Sequence, residues 1–181
     1  LYIFTPKTES MRTLLSCLLC FTSTIFPAAG QEALLAEFAR KWGNAAEYTL
    51  AVAQSMPDSA YGFAPTEEQM TFGEQVLHIV GNISRLSSAY LGAEPLIFDR
   101  ARQDYAKEDL LYLLQDAFER SSRAVAALQA EDLDQTVEFF AGPLTKRQIL
   151  LLLSDHLTHH RAQLIVYARM KGVKPPRYVG W

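Results

Sequence analysis

The sequence predicts an all-α fold, a four-helix bundle, in one domain. Three observations carry this. Four segments of about twenty residues place their apolar side chains three and four apart. Connections containing Pro and Gly separate those segments. No strand alternation, internal repeat or low-complexity tract interrupts them. Helices of this length joined by loops bury their apolar stripes against one another.

The first helix is expected over residues 31–54. Its spacing runs through Leu34, Leu35, Phe38, Trp42, Ala45, Ala46, Thr49, Val52 and Ala53. Met56-Pro57-Asp58 stops it, and residues 59–66 read as a loop by their Gly and Pro. Thr66 with Gln69 is spaced to cap a short turn, and Thr71 with Glu74 to cap the second helix. That helix runs to about Tyr90 on a stripe of Phe72, Val76, Ile79, Ile83 and Leu86. His78 lies beside the stripe, with Asn82 one turn later.

Residues 92–105 read as a second loop. The third helix is expected from Asp109 to Ala130, on Leu110, Leu113, Leu114, Ala117, Phe118, Ser121, Val125 and Leu128. The connection over 132–142 ends at Gly142-Pro143 and has the composition for a brief extended piece at Thr136 to Phe140. The last helix begins near Thr145 and reaches about Lys171; Gly172 stops it and Pro175-Pro176 prevents its resumption. It is apolar on two sides. Ile149, Leu152, Leu153 and His156 face one way, and Leu151, Ala162 and Ile165 another. That pattern fits a central position or a homodimer interface.

Residues 1–30 do not share this pattern. Met11-Arg12 opens a short positive region, and Thr13 to Phe26 is an apolar stretch of signal-peptide length, short for a membrane span. Pro27-Ala28-Ala29-Gly30 supplies small residues for cleavage before Gln31. The expectation is an upstream leader over 1–10 and a signal peptide, followed by the bundle domain at 31–181. The product would be exported, periplasmic or secreted, with no stable membrane insertion after cleavage. Cys17 and Cys20, the only cysteines, fall inside the signal region. The bundle would have no disulfide and no thiolate ligand. Apolar residues make up 49% and charged residues 20%, with a formal net charge of −3 and no basic run, so nucleic acid is not an expected partner.

The chain has four histidines, and His156, His159 and His160 fall in one five-residue window of the last helix. His156 and His160 are four apart and stack on one helix face. Two imidazoles so placed each offer a nitrogen to one divalent metal, and His78 is the remaining histidine to complete a three-nitrogen site with an open position. Spacing leaves a second reading open: a hydrogen-bonded core histidine at 156 with the others exposed. Residue 157 is Leu, so the zinc-protease HExxH pattern and its base are absent. His159 lies about 100° around the helix and is expected at the surface.

The run from His156 to Pro176, with its HxxHHRxQ motif and Gly-x-x-Pro-Pro ending, resembles the last helix of the DinB-like superfamily. So do Phe63-Ala64-Pro65-Thr66 and the segment Phe72 to Gly81 that carries His78. The resemblance covers essentially all of residues 31–176. It implies a four-helix bundle in up-down-down-up order and a divalent metal, commonly zinc or nickel, on His78, His156 and His160.

Three neutral nitrogens would leave the metal its full charge, so a bound water or thiol would deprotonate near neutral pH. Two enzymatic classes follow: thiol transfer, as in some proteins this family is similar to, and metal-assisted hydrolysis of a small-molecule substrate. A non-catalytic metal-binding or structural bundle is the alternative. Hydrolysis needs a base, for which Glu74 and Asp58 are the candidates. Asn82 and Gln163 are placed to hydrogen-bond the histidines from behind. Arg161 reads as a structural residue paired with an acid on another helix, and Tyr167 as core or pocket wall.

Overall fold

The structure, a computed structural model, describes residues 25–102 and 104–181. Four helices carry it: α1 (Ile25–Ser55), α2 (Phe72–Tyr90), α3 (Lys107–Ala127) and α4 (Lys146–Met170). Short 3₁₀ turns lie at Asp58–Ala60 and Ala130–Asp134. The extended piece expected near 136–140 is a two-residue strand, β1 (Thr136–Val137), antiparallel to β2 (Leu144–Thr145), with Thr136 opposite Thr145.

The helix starts follow their capping residues. Thr71 Oγ1 accepts from Glu74 N at 3.2 Å, while Glu74 Oε2 accepts from Thr71 N at 2.7 Å. Thr145 and Gln148 repeat that exchange at the start of α4. The end of α4 is closed by Gly172 at φ +75°, with Val173 N donating to Ala168 O at 2.9 Å and Gly172 N to Arg169 O at 3.0 Å. The end of α1 is capped from another helix: the Lys107 ammonium donates to Gln54 O at 2.9 Å and Met56 O at 2.8 Å.

Two boundaries differ from expectation. Helix α1 is already helical at Ile25, where the described residues begin, and runs through the expected cleavage site before Gln31. The two Ala there favour helix and a single Gly is tolerated. The leader, most of the signal segment and both cysteines lie outside the described residues. Helix α3 ends at Ala127, short of Ala130, because Leu128 turns extended at ψ 141° and Asp132 Oδ2 accepts from Gln129 N at 2.8 Å to start the 3₁₀ turn.

Contacts between helix ends give their directions. The Lys107 caps place the start of α3 at the end of α1, so these two are antiparallel. Leu110, near the start of α3, packs beside Gly73 at the start of α2, so α2 and α3 are parallel. Tyr167, near the end of α4, donates to Gln69 just before α2, so α4 runs against α2. The order is up-down-down-up, and in cross-section α2 and α1 each pack between α3 and α4.

Trp42 anchors the centre of the bundle. It packs on Phe38 and Phe118, with ring centroids at 6.0 and 5.4 Å, and its indole N–H donates to Ser121 Oγ at 3.0 Å. Helix α4 is buried on the sides facing α1 and α2. Leu151, Ala162, Val166 and Met170 are exposed, so the helix belongs to the ring and is not central. Among the described residues no helix is long and apolar enough to cross a membrane.

Removing the α4 cap tests this account of the helix starts. Thr145→Ala should lower unfolding free energy by about 1 kcal/mol, read by urea denaturation, and leave metal uptake unchanged because Thr145 is far along α4 from the histidines. A neutral result would show that packing alone fixes this end.

Candidate metal centre

The antiparallel packing of α2 against α4 brings three histidines together. His78 sits in the second turn of α2, and His156 and His160 lie one turn apart on α4. One nitrogen from each lies within 4.8 Å of the other two. His78 Nε2 is 3.1 Å from His156 Nε2, and the ring centroids are 4.3 to 5.0 Å apart. Nitrogens about 2.0–2.1 Å from one zinc at tetrahedral angles are about 3.3 Å from each other, so the cluster has the right span.

Hydrogen bonds behind His160 fix its tautomer. Gln75 Oε1 lies 2.7 Å and Gln163 Oε1 3.1 Å from His160 Nδ1. Amide oxygens only accept, so Nδ1 carries the proton and Nε2 keeps its lone pair. This is the support that histidine ligands ordinarily receive. Gln163 also donates to His159 Nε2 at 3.5 Å. His159 is exposed and stands outside the cluster, as its position around the helix predicts.

Burial favours the neutral form of all three rings. It pushes His156 and His160 down to about 4, with neighbouring imidazoles adding to the effect. His78 is lowered as well, first by burial and then by Arg100 and Arg85. Neutral imidazoles are the form that binds metal.

Beside His78 opens a cavity of about 370 Å³, lined also by Met70, Glu74, Leu77, Gly81, Asn82, Arg85 and Arg100. Among the described residues no fourth His, Cys, Asp or Glu joins the three histidines. The donor set therefore fits a divalent metal ion, with room for a further ligand from the cavity.

The other expected residues divide. Gln163 supports His160, but Asn82 bonds no histidine, and its buried Oδ1 has no hydrogen-bond partner. Glu74 lines the cavity with its carboxylate engaged in the Thr71 cap. Asp58 is exposed in the 3₁₀ turn and does not line the cavity. Tyr167 is core: it packs on Phe63 and donates to Gln69 Oε1 at 3.0 Å. Arg161 has no acidic partner. It is buried over the Tyr48 ring and donates to Ala45 O and Thr49 Oγ1, both at 3.4 Å. Gln75 was not anticipated. Its signal in the sequence is an amide inside the stripe of Phe72, Val76 and Ile79, where a buried polar group requires a partner.

Two measurements follow. Gln75→Leu should weaken zinc affinity about 10- to 100-fold, measured by competition with a chelator, whereas His159→Ala should leave it unchanged. Acid stability has a definite sign. Unfolded imidazoles protonate near 6.5, and folded His156 and His160 near 4. The unfolded chain binds more protons between those values, so metal-free stability should fall as pH drops through that window. His156→Leu should flatten that slope; an unchanged slope would show that burial does not hold these rings neutral.

The sequence model described as DinB superfamily matches residues 42–164. The uncharacterized protein YrdA of Bacillus subtilis (strain 168) is 26% identical over 151 residues, covering 81% of this chain and 88% of that protein. YjoA of the same strain is 26% identical over 124 residues, covering 67% and 80%. A crystal structure of a DinB-like protein from Bacillus cereus ATCC 10987 superposes with TM-score 0.71 at 22% identity, over 78% of this chain and 95% of that one. The DinB-like protein YjoA superposes with TM-score 0.65 at 22% identity, over 78% and 97%.

Proposed function

This chain belongs to the DinB superfamily, and on that premise we propose that it is a metal-dependent enzyme acting on a small molecule. The observation that carries the reading is the cluster of three neutral histidines beside an open cavity. His78, His156 and His160 would hold the metal, with zinc or nickel suited to three imidazoles. The metal would supply Lewis acidity, enough to keep a coordinated water or thiol deprotonated near neutral pH.

The chain's own residues do the rest. Gln75 and Gln163 hold the His160 ring in its orientation and keep its proton on Nδ1. Apolar burial around α2 and α4 keeps the rings uncharged. The cavity gives a substrate access from the His78 side.

Hydrolase and thiol-S-transferase chemistry differ in their need for a base. Glu74 is the one carboxylate lining the cavity, and its tie to the Thr71 cap favours the thiol, which needs no separate base once deprotonated. Export through the signal-like segment, and a homodimer through the exposed Leu151, Val166 and Met170 face, belong to the same proposal.

The test starts from protein purified without a histidine tag and loaded with zinc or nickel. Thiol-transfer screens with low-molecular-weight thiols and hydrolysis screens would run in parallel, with His78→Ala as control. We expect turnover that is lost in His78→Ala and on chelation. Metal uptake without turnover in either screen would favour the non-catalytic metal-binding bundle.

A further inference from the structure

The cavity beside the histidines has a charge pattern of its own. Its α2 wall is one helix face, Glu74, His78, Asn82 and Arg85, with residues four or three apart. Arg100 reaches in from the connection after α2, anchored by Nη2 donating to Gly81 O at 2.9 Å. A guanidinium carries five N–H donors, so that single bond leaves most of them free.

Among the described residues, neither the half-buried Arg85 nor the exposed Arg100, which lies over the Phe98 ring, forms an ion pair. Between the cations and His78 sits Asn82, which lines the cavity while its Oδ1 is buried out of the cavity's reach. Two guanidiniums without a carboxylate partner on one cavity wall describe an anion site.

We infer that this cavity takes a small anionic molecule, bearing a carboxylate or phosphate on Arg85 and Arg100. The inference deepens the proposed function and rests on it for the reacting end, which lies toward His78. Arg85 is seven residues beyond His78, about 10 Å along the helix axis. The cavity volume, about 370 Å³, suits a molecule of that length. The guanidinium fork matches both carboxylate and phosphate.

The experiment uses the whole chain in its metal-free form, so that no anion can bind through a metal. Acetate, glycolate, inorganic phosphate and neutral glycolamide would be titrated while the arginine Nε–H and Asn82 amide resonances are followed by NMR. Acetate, glycolate and phosphate should bind, and neutral glycolamide should bind least. Arg85→Gln should weaken glycolate about tenfold. Phosphate binding above acetate would identify a phosphate ligand, and the reverse a carboxylate. Glycolamide binding as well as glycolate, or unchanged affinity in Arg85→Gln, would overturn the inference. Zinc titration of the same samples separates the two readings. Zinc uptake without Arg85-dependent anion binding sinks this inference alone, and anion binding without zinc uptake sinks the metal reading alone.

Discussion

The bond from His160 Nδ1–H to Gln75 Oε1 ties α4 to α2 at the point where their histidines meet. It is made between two buried side chains, so neither group has water as an alternative. It sets the ring plane, and it settles which nitrogen carries the proton. The lone pair is thereby left on Nε2, where a metal can take it.

This arrangement opposes stability for its own sake. Three clustered imidazoles whose burial favours the neutral form make one hydrogen-bond contact among themselves, His78 to His156. Asn82 and Arg161 add buried polar groups with poor or absent partners. Surrounding them is an apolar frame of Phe72, Ile79, Leu153, Leu157 and Leu164, all essentially inaccessible. A frame of that kind tolerates a local conflict, and such conflicts concentrate where a ligand resolves them. Arg85 and Arg100, without carboxylate partners, line the same cavity as His78 of the cluster.

Much of this was legible in the sequence, and for stated reasons. Apolar spacing of three and four gave the helices, and Thr71 with Glu74 and Thr145 with Gln148 gave two of their starts. The i,i+4 histidine pair is a local pattern, so it survives folding unchanged. Gln163 is local too, three residues from His160. Gln75 was missed because its partner is 85 residues away, and a lone amide carries no sign of what it will meet. Asn82 was assigned to a histidine by proximity along the helix, yet its carbonyl oxygen is buried and bonds none of them. Arg161 was assigned an acid because a buried guanidinium usually has one; carbonyl, hydroxyl and the Tyr48 ring take that place. Long-range partners of single polar residues are what helical periodicity does not encode.

The most direct test of the central claim is ¹⁵N NMR of the histidine side chains as zinc is added at neutral pH. Metal-free protein should show His160 protonated on Nδ1 and not on Nε2. One equivalent of zinc should shift one ring nitrogen each of His78, His156 and His160, leaving His159 unmoved. A His160 proton on Nε2, or a zinc response that includes His159 and omits His78, would contradict the account.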